Sequence, residues 1–140
     1  MSDPVADGGG VSAHDELRAL LQRYARAVDR RDLDVLAGLF RPDAAIAGAR
    51  GTQTVEEWLD TLRGPRAFPT SMHVLGDPLI TLGGNGTEAT LDTYAVVYQL
   101  SDPDSGRGDL TLGINYRDDA VLEEGRWRIA RRESHTVWMR

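Results

Sequence analysis

Two residue types are missing from the 140-residue chain, cysteine and lysine. Without cysteine there are no disulfides, no thiolate nucleophile and no sulfur-based zinc site. Without lysine every one of the 16 basic residues is arginine, a bias that fits a GC-rich genome and by itself points to no mechanism. Histidine is scarce too, with only three, so no dedicated metal cage is expected and no cofactor is implied. The basic side is outweighed, giving a net charge of −6. That balance argues against nucleic-acid binding, which relies on arginine and lysine to neutralise phosphates. No apolar run approaches the ~20 residues that span a bilayer. The opening MSDPVADGGG is acidic and glycine-rich, so neither a leader nor an anchor is expected there, and a cytoplasmic protein is the default.

What remains is an ordinary globular composition, 41% hydrophobic and 27% charged, long enough for one domain with a real core. Residues 1–11 read as a disordered tail and 12–140 as a single domain. Ser12 begins a helix in which Leu17, Leu20, Leu21, Tyr24 and Val28 recur at helical spacing, while Gln22, Arg26 and Arg30 fall opposite. Asp32 reads as the cap of a short second helix carrying Leu33, Leu36, Leu39 and Phe40 inward, broken at Arg41-Pro42-Asp43. A short apolar strand, Ala44 to Ala49, follows. Thr54 and Glu57 form a capping box for a third helix with Val55, Trp58, Leu59 and Leu62.

Beyond Phe68 the pattern is strand and turn. Ser71 to Leu82 is extended with an interruption at Gly76-Asp77-Pro78, because proline has no N–H for a ladder. Gly83 to Gly86 is a hairpin turn. Thr87 to Leu100, Asp109 to Leu122 and Arg126 to Trp138 are strands, the last two joined tightly at Glu123-Glu124-Gly125. Helices first and long strands afterwards imply an α+β fold.

Chemistry enters at Asp29. A carboxylate in the last turn of a helix opposes the macrodipole, at ~0.3–1 kcal/mol. It is either a solvated side chain paired with Arg26 or a functional group. His73, in SMHVLG, is either a hydrogen-bonded core histidine or a proton-transfer group that a carboxylate such as Asp29 orients. Tyr24 belongs to the core stripe, with its hydroxyl either satisfied locally or offered to a substrate. Arg132, in RIARRES, is either a solvent-facing strand residue or an anion holder. Asp92, Tyr94, Tyr98, Asn115 and Tyr116 are candidate pocket positions, and Ile46 and Trp58 join Tyr94 and Tyr116 as residues expected to shape a cavity. Ser71 and Ser134 lack the strand–turn–helix setting of a hydrolase nucleophile.

At RYARAVDRRDLDVLAGLFRPDA, SMHVLG and GRWRIARRE the chain resembles the SnoaL-like, polyketide cyclase-like branch of the nuclear transport factor 2-like superfamily, over about residues 12–138. The resemblance implies a cone-shaped α+β barrel: three helices on a strongly curved antiparallel sheet, enclosing a cavity. Within it the chain looks most like the bile-acid dehydratases and hexachlorocyclohexane dehydrochlorinase, which use an Asp–His pair to take a proton as a leaving group departs. The resemblance places Asp29, His73, Tyr24 and Arg132 at that group's catalytic positions. It further implies a small hydrophobic, ring-containing substrate and a homodimer formed through the outer sheet face. The dehydratases carry a further carboxylate that falls near Val96 here, with Asp92 and Tyr98 its nearest substitutes. The base of steroid isomerases of this fold falls at about Gly48, so their mechanism is not expected. Arg132 and Trp127 have opposite strand parity, so both face inward only across a bulge. The alternative to an enzyme is a binding or dimerisation module of the same fold.

Overall fold

The computed structural model describes residues 12–140; the expected tail, 1–11, lies outside them. Helix α1 spans Ala13–Arg30 and buries Leu17, Leu20, Leu21, Tyr24 and Val28 along one face. The Ser12 hydroxyl caps it by accepting the Asp15 N–H at 3.1 Å, satisfying one of the helix's unpaired donors. Arg31 ends it in the left-handed region, φ +55°, where glycine is the usual occupant. Asp32 then caps α2, Leu33–Leu39, through the Val35 N–H. Thr54 and Glu57 form the expected reciprocal box on α3, Val55–Arg63.

Seven strands follow and interleave: β1 Phe40–Gly48, β2 Gly51–Thr54, β3 Thr70–Leu75, β4 Leu79–Leu82, β5 Glu88–Leu100, β6 Leu110–Glu123 and β7 Arg126–Met139. They form one sheet in the order β2-β1-β7-β6-β5-β3, with β4 also paired to β5. The helices pack on its inner face, so the architecture is the expected α+β one. The sheet is mixed, because β1 runs parallel to β7, and apolar periodicity carries no information about strand direction. β1 also starts earlier than Arg41-Pro42-Asp43 suggested. The ladder with β7 skips from Phe40 to Ala45, so Pro42 sits where no N–H is needed. β2, GTQT, has no apolar alternation to announce it.

Strand alternation separates the two faces. On β5, Ala89, Leu91, Thr93, Ala95 and Val97 are buried against the helices, while the even-numbered positions point to the outer face. Glu124 and Gly125, both at positive φ, make the two-residue turn between β6 and β7, with Glu123 paired to Arg126. Opposite Ala120 and Asp119 the β7 register jumps from Ile129 to Arg131. Ala130 is the extra residue, and this bulge brings Trp127, Ile129 and Arg132 all to the inner side. Gly113 has a steric reason to be glycine, since a Cβ there would collide with the Trp138 indole.

Candidate active site

β3 is an edge strand, paired with β5 alone, and the end of α1 lies along its free side. An edge leaves backbone donors unpaired, and Asp29 takes one of them. Its Oδ2 accepts the His73 backbone N–H at 2.8 Å, and its Oδ1 accepts the Ser71 hydroxyl at 2.9 Å. The same Oδ1 lies 2.6 Å from His73 Nδ1. These donors compensate the unfavourable end of the helix dipole. The bland alternative for Asp29, a pair with Arg26, does not form, since Arg26 donates to Gln22 at 2.8 Å.

With the carboxylate on Nδ1, the ring's proton is drawn to that nitrogen and Nε2 keeps its lone pair. The two side chains are 11% and 18% exposed for His73 and Asp29. Burial pushes the His73 pKa below its ordinary value. Asp29 opposes the shift, by hydrogen bond and by charge, and Arg132 and Arg31 reinforce it. The shift favours the neutral histidine, the form that accepts a proton.

A second carboxylate pair lies deeper. Arg132, 2% exposed, donates from Nε to Asp118 Oδ1 at 2.7 Å and from Nη2 to Oδ2 at 2.9 Å. Its guanidinium is sandwiched between the Tyr24 and Tyr116 rings, 4.0 and 4.1 Å from their centroids. Burial alone weakens the charge, but Asp118 and the two tyrosines more than offset it, and Arg132 is held protonated more firmly than a free arginine. Tyr116 is pushed well up, chiefly by burial, so it stays a phenol. Arg132 Nη1 is buried with no protein partner among the described residues.

A cavity of about 490 Å3 opens between the inner sheet face and α1, α3 and the segment after α3. Tyr24, Tyr116, Trp58, Ile46 and Arg132 all line it. Tyr24 stacks on Trp58 at 6.3 Å and meets the His73 ring edge-on at 6.0 Å. His73 and Asp29 are not lining residues, and His73 packs against the Tyr24 ring that is one.

The remaining pocket expectations are corrected. Tyr94 and Tyr98, 71% and 44% exposed, point from β5 to the outer face, as does Asp92, because their parity is opposite to that of buried Leu91 and Thr93. Asn115 pairs with Tyr94 across the ladder and donates to Asp92 at 2.7 Å, so it too belongs to the outer side. Neither Asp92 nor Tyr98 supplies the extra inward carboxylate. Asp118, one strand further on, does turn inward, but to Arg132 and not to the cavity, and its shared parity with Tyr116 was the available signal. Ser71, set aside as a nucleophile, is a hydrogen-bond donor to Asp29. Among the described residues no cluster of three or more metal-ligating side chains occurs, and no helix is long and apolar enough to cross a membrane.

The sequence model of the SnoaL-like domain family matches residues 10–133. An uncharacterized protein of Mycobacterium tuberculosis is 30% identical over 128 residues, 87% of this chain and 84% of that one. Among solved structures, a putative scytalone dehydratase from Novosphingobium aromaticivorans superposes with TM-score 0.80 at 23% identity, covering 89% of this chain and 84% of its own. A hexachlorocyclohexane dehydrochlorinase from Novosphingobium barchaimii gives 0.78 at 13%, covering 89% and 86%. A nuclear transport factor 2-like protein from Salmonella enterica gives 0.76 at 17%, covering 88% and 89%. At these identities the likeness establishes a shared fold.

Proposed function

The chain belongs to the SnoaL-like domain family, and on that premise we propose that it is a lyase or isomerase in which His73 removes a proton from a ring-containing small molecule held in the cavity. The observation that carries this is the 2.6 Å contact between Asp29 Oδ1 and His73 Nδ1. It leaves Nε2 as the base, and burial keeps that base uncharged before reaction. In the step itself the substrate C–H proton passes to Nε2. Its electron pair forms a new C=C bond or an enolate. In an elimination a leaving group departs with the electrons of its own bond. Asp29 stabilises the imidazolium that forms. The Tyr24 hydroxyl and the unpartnered Nη1 of Arg132 meet negative charge that develops on the substrate. No cofactor enters this scheme. The dehydratase and dehydrochlorinase of the same fold are proteins for which such a reaction class is natural, which supports the reading.

The test is turnover of an identified substrate. Replacing His73 with Ala should lower kcat by about 10²–10⁴-fold, the usual contribution of a positioned acid–base group. Asp29→Asn should lower it less and move the acid limb of the pH profile downward, because the lost carboxylate was raising the histidine's pKa. Turnover undiminished in both variants contradicts the scheme.

One observation favours a second reading, a ligand-binding module without chemistry: His73 and Asp29 do not line the cavity. That reading expects cavity ligands to be recovered unchanged from the wild type. We also propose that a second copy of the chain covers the outer sheet face. Val74, Tyr94, Val137 and Trp138 line a groove there with no charged residue among the described ones. Such a face can meet itself across a twofold axis without like-charge opposition. Light scattering should show a dimer; a monomer at all concentrations refutes it.

A further inference from the structure

The cavity carries more positive charge than a hydrophobic substrate requires. Arg31, Arg50, Arg66 and Arg132 all line it, and among the described residues no Asp or Glu does, in a chain whose net charge is −6. Asp118 neutralises Arg132 from behind. None of the ion pairs among the described residues includes Arg31, Arg50 or Arg66. Nε of Arg31 and both Nε and Nη2 of Arg66 are buried with no protein partner among the described residues. Buried guanidinium donors without acceptors are expensive to leave unsatisfied.

The backbone adds an independent sign. Arg31 occupies the left-handed cap of α1 at φ +55°, a position where glycine avoids strain. A non-glycine there needs a reason, and the placement carries the side chain to the cavity wall. Burial lowers the Arg31 pKa and the nearness of Arg66 adds to the shift, while Asp29 opposes it. Trp58, Leu62, Phe68 and Ile46 line the same cavity and give it an apolar part.

We propose that the cavity takes an anion, specifically a ring-bearing carboxylate whose carboxylate group is gripped by Arg31 and Arg66 while its ring lies against Trp58. The planar guanidinium fork matches a carboxylate in two parallel hydrogen bonds. The apolar wall accounts for the ring. This rests on the cavity being the substrate site, and it replaces a purely hydrophobic substrate with an acidic one. Arg50, exposed at the cavity rim, adds long-range attraction for an incoming anion.

The probes are 2-naphthoate, its neutral amide 2-naphthamide, and 2-naphthyl phosphate. Each is titrated into the full chain while the arginine Nε–Hε signals are followed by NMR. The acid should bind at least ~10-fold tighter than the amide, with the Arg31 and Arg66 signals moving, and should weaken as salt rises. Arg66→Gln, in the loop after α3, should remove ~10-fold of the acid's affinity and leave the amide's unchanged. Arg31→Gln should do the same. Equal binding of acid and amide, no binding of the acid at millimolar concentration, or affinity untouched in both variants overturns the proposal. Tighter binding of the phosphate overturns the carboxylate assignment in favour of a phosphate monoester. Lost anion selectivity with turnover still dependent on His73 sinks this inference alone. Anion selectivity with turnover indifferent to His73 sinks the proton-transfer reading alone.

Discussion

Two carboxylates, Asp29 and Asp118, each hold a basic side chain on a strand, and they do opposite things with it. Asp118 grips Arg132 through two bonds in full burial, and the partner cannot change charge at any physiological pH. Asp29 grips His73 through one ring bond and one backbone bond, near enough to solvent to exchange a proton. The first pair is a fixed charge that holds Tyr24 and Tyr116 in place. The second is a group with two states. What separates a structural ion pair from a reactive one in this fold is the partner's pKa and depth, since the carboxylates themselves are alike.

The comparison breaks most visibly at Asp118. Asp118→Ala should lower stability by about 3–5 kcal/mol in chemical denaturation, because it strands a buried guanidinium. Adding Arg132→Met to that variant should restore much of the loss, whereas a loss unchanged by the second substitution would mean the charge is not what destabilises. Asp29→Ala should cost less, about 1–3 kcal/mol, since the groups it leaves unpaired, the Ser71 hydroxyl and the β3 edge N–H, are only part-buried. Equal losses at the two sites would erase the distinction.

A smaller effect is the pH dependence of stability. The folded His73 holds its proton less firmly than an unfolded histidine, so the unfolded state binds more protons. Its contribution is complete above about pH 6.5 and is lost as pH falls below that value. His73→Gln should flatten the urea midpoint between about pH 7 and pH 5 relative to wild type. An identical slope in both proteins removes His73 from the titration.

How much of this was legible in the sequence differs between the two pairs. The helices, the capping box at Thr54 and the strand–turn sequence after Phe68 follow from local periodicity and turn chemistry. Asp29 did not: at the helix end it reads as either a solvated carboxylate paired with Arg26 or a functional group, and only the passage of the β3 edge along α1 buries it. The inward turn of Arg132 required the Ala130 bulge, which parity demanded but could not locate. Asp92, Tyr94 and Tyr98 were misplaced because a strand with apolar residues on both faces does not reveal which face is inside. Nothing in the sequence singles out Arg31 or Arg66, and it is the left-handed helix end and the loop after α3 that place them on the cavity.

The most direct test of the Asp29–His73 pairing is ¹⁵N NMR of the His73 ring across pH, in the wild type and in Asp29→Asn. The expected result is a neutral ring protonated at Nδ1, with a pKa below about 6.5 that falls further when the carboxylate is removed. A ring protonated at Nε2, or a pKa above 6.5 that is indifferent to Asp29, would contradict the assignment of His73 as the base.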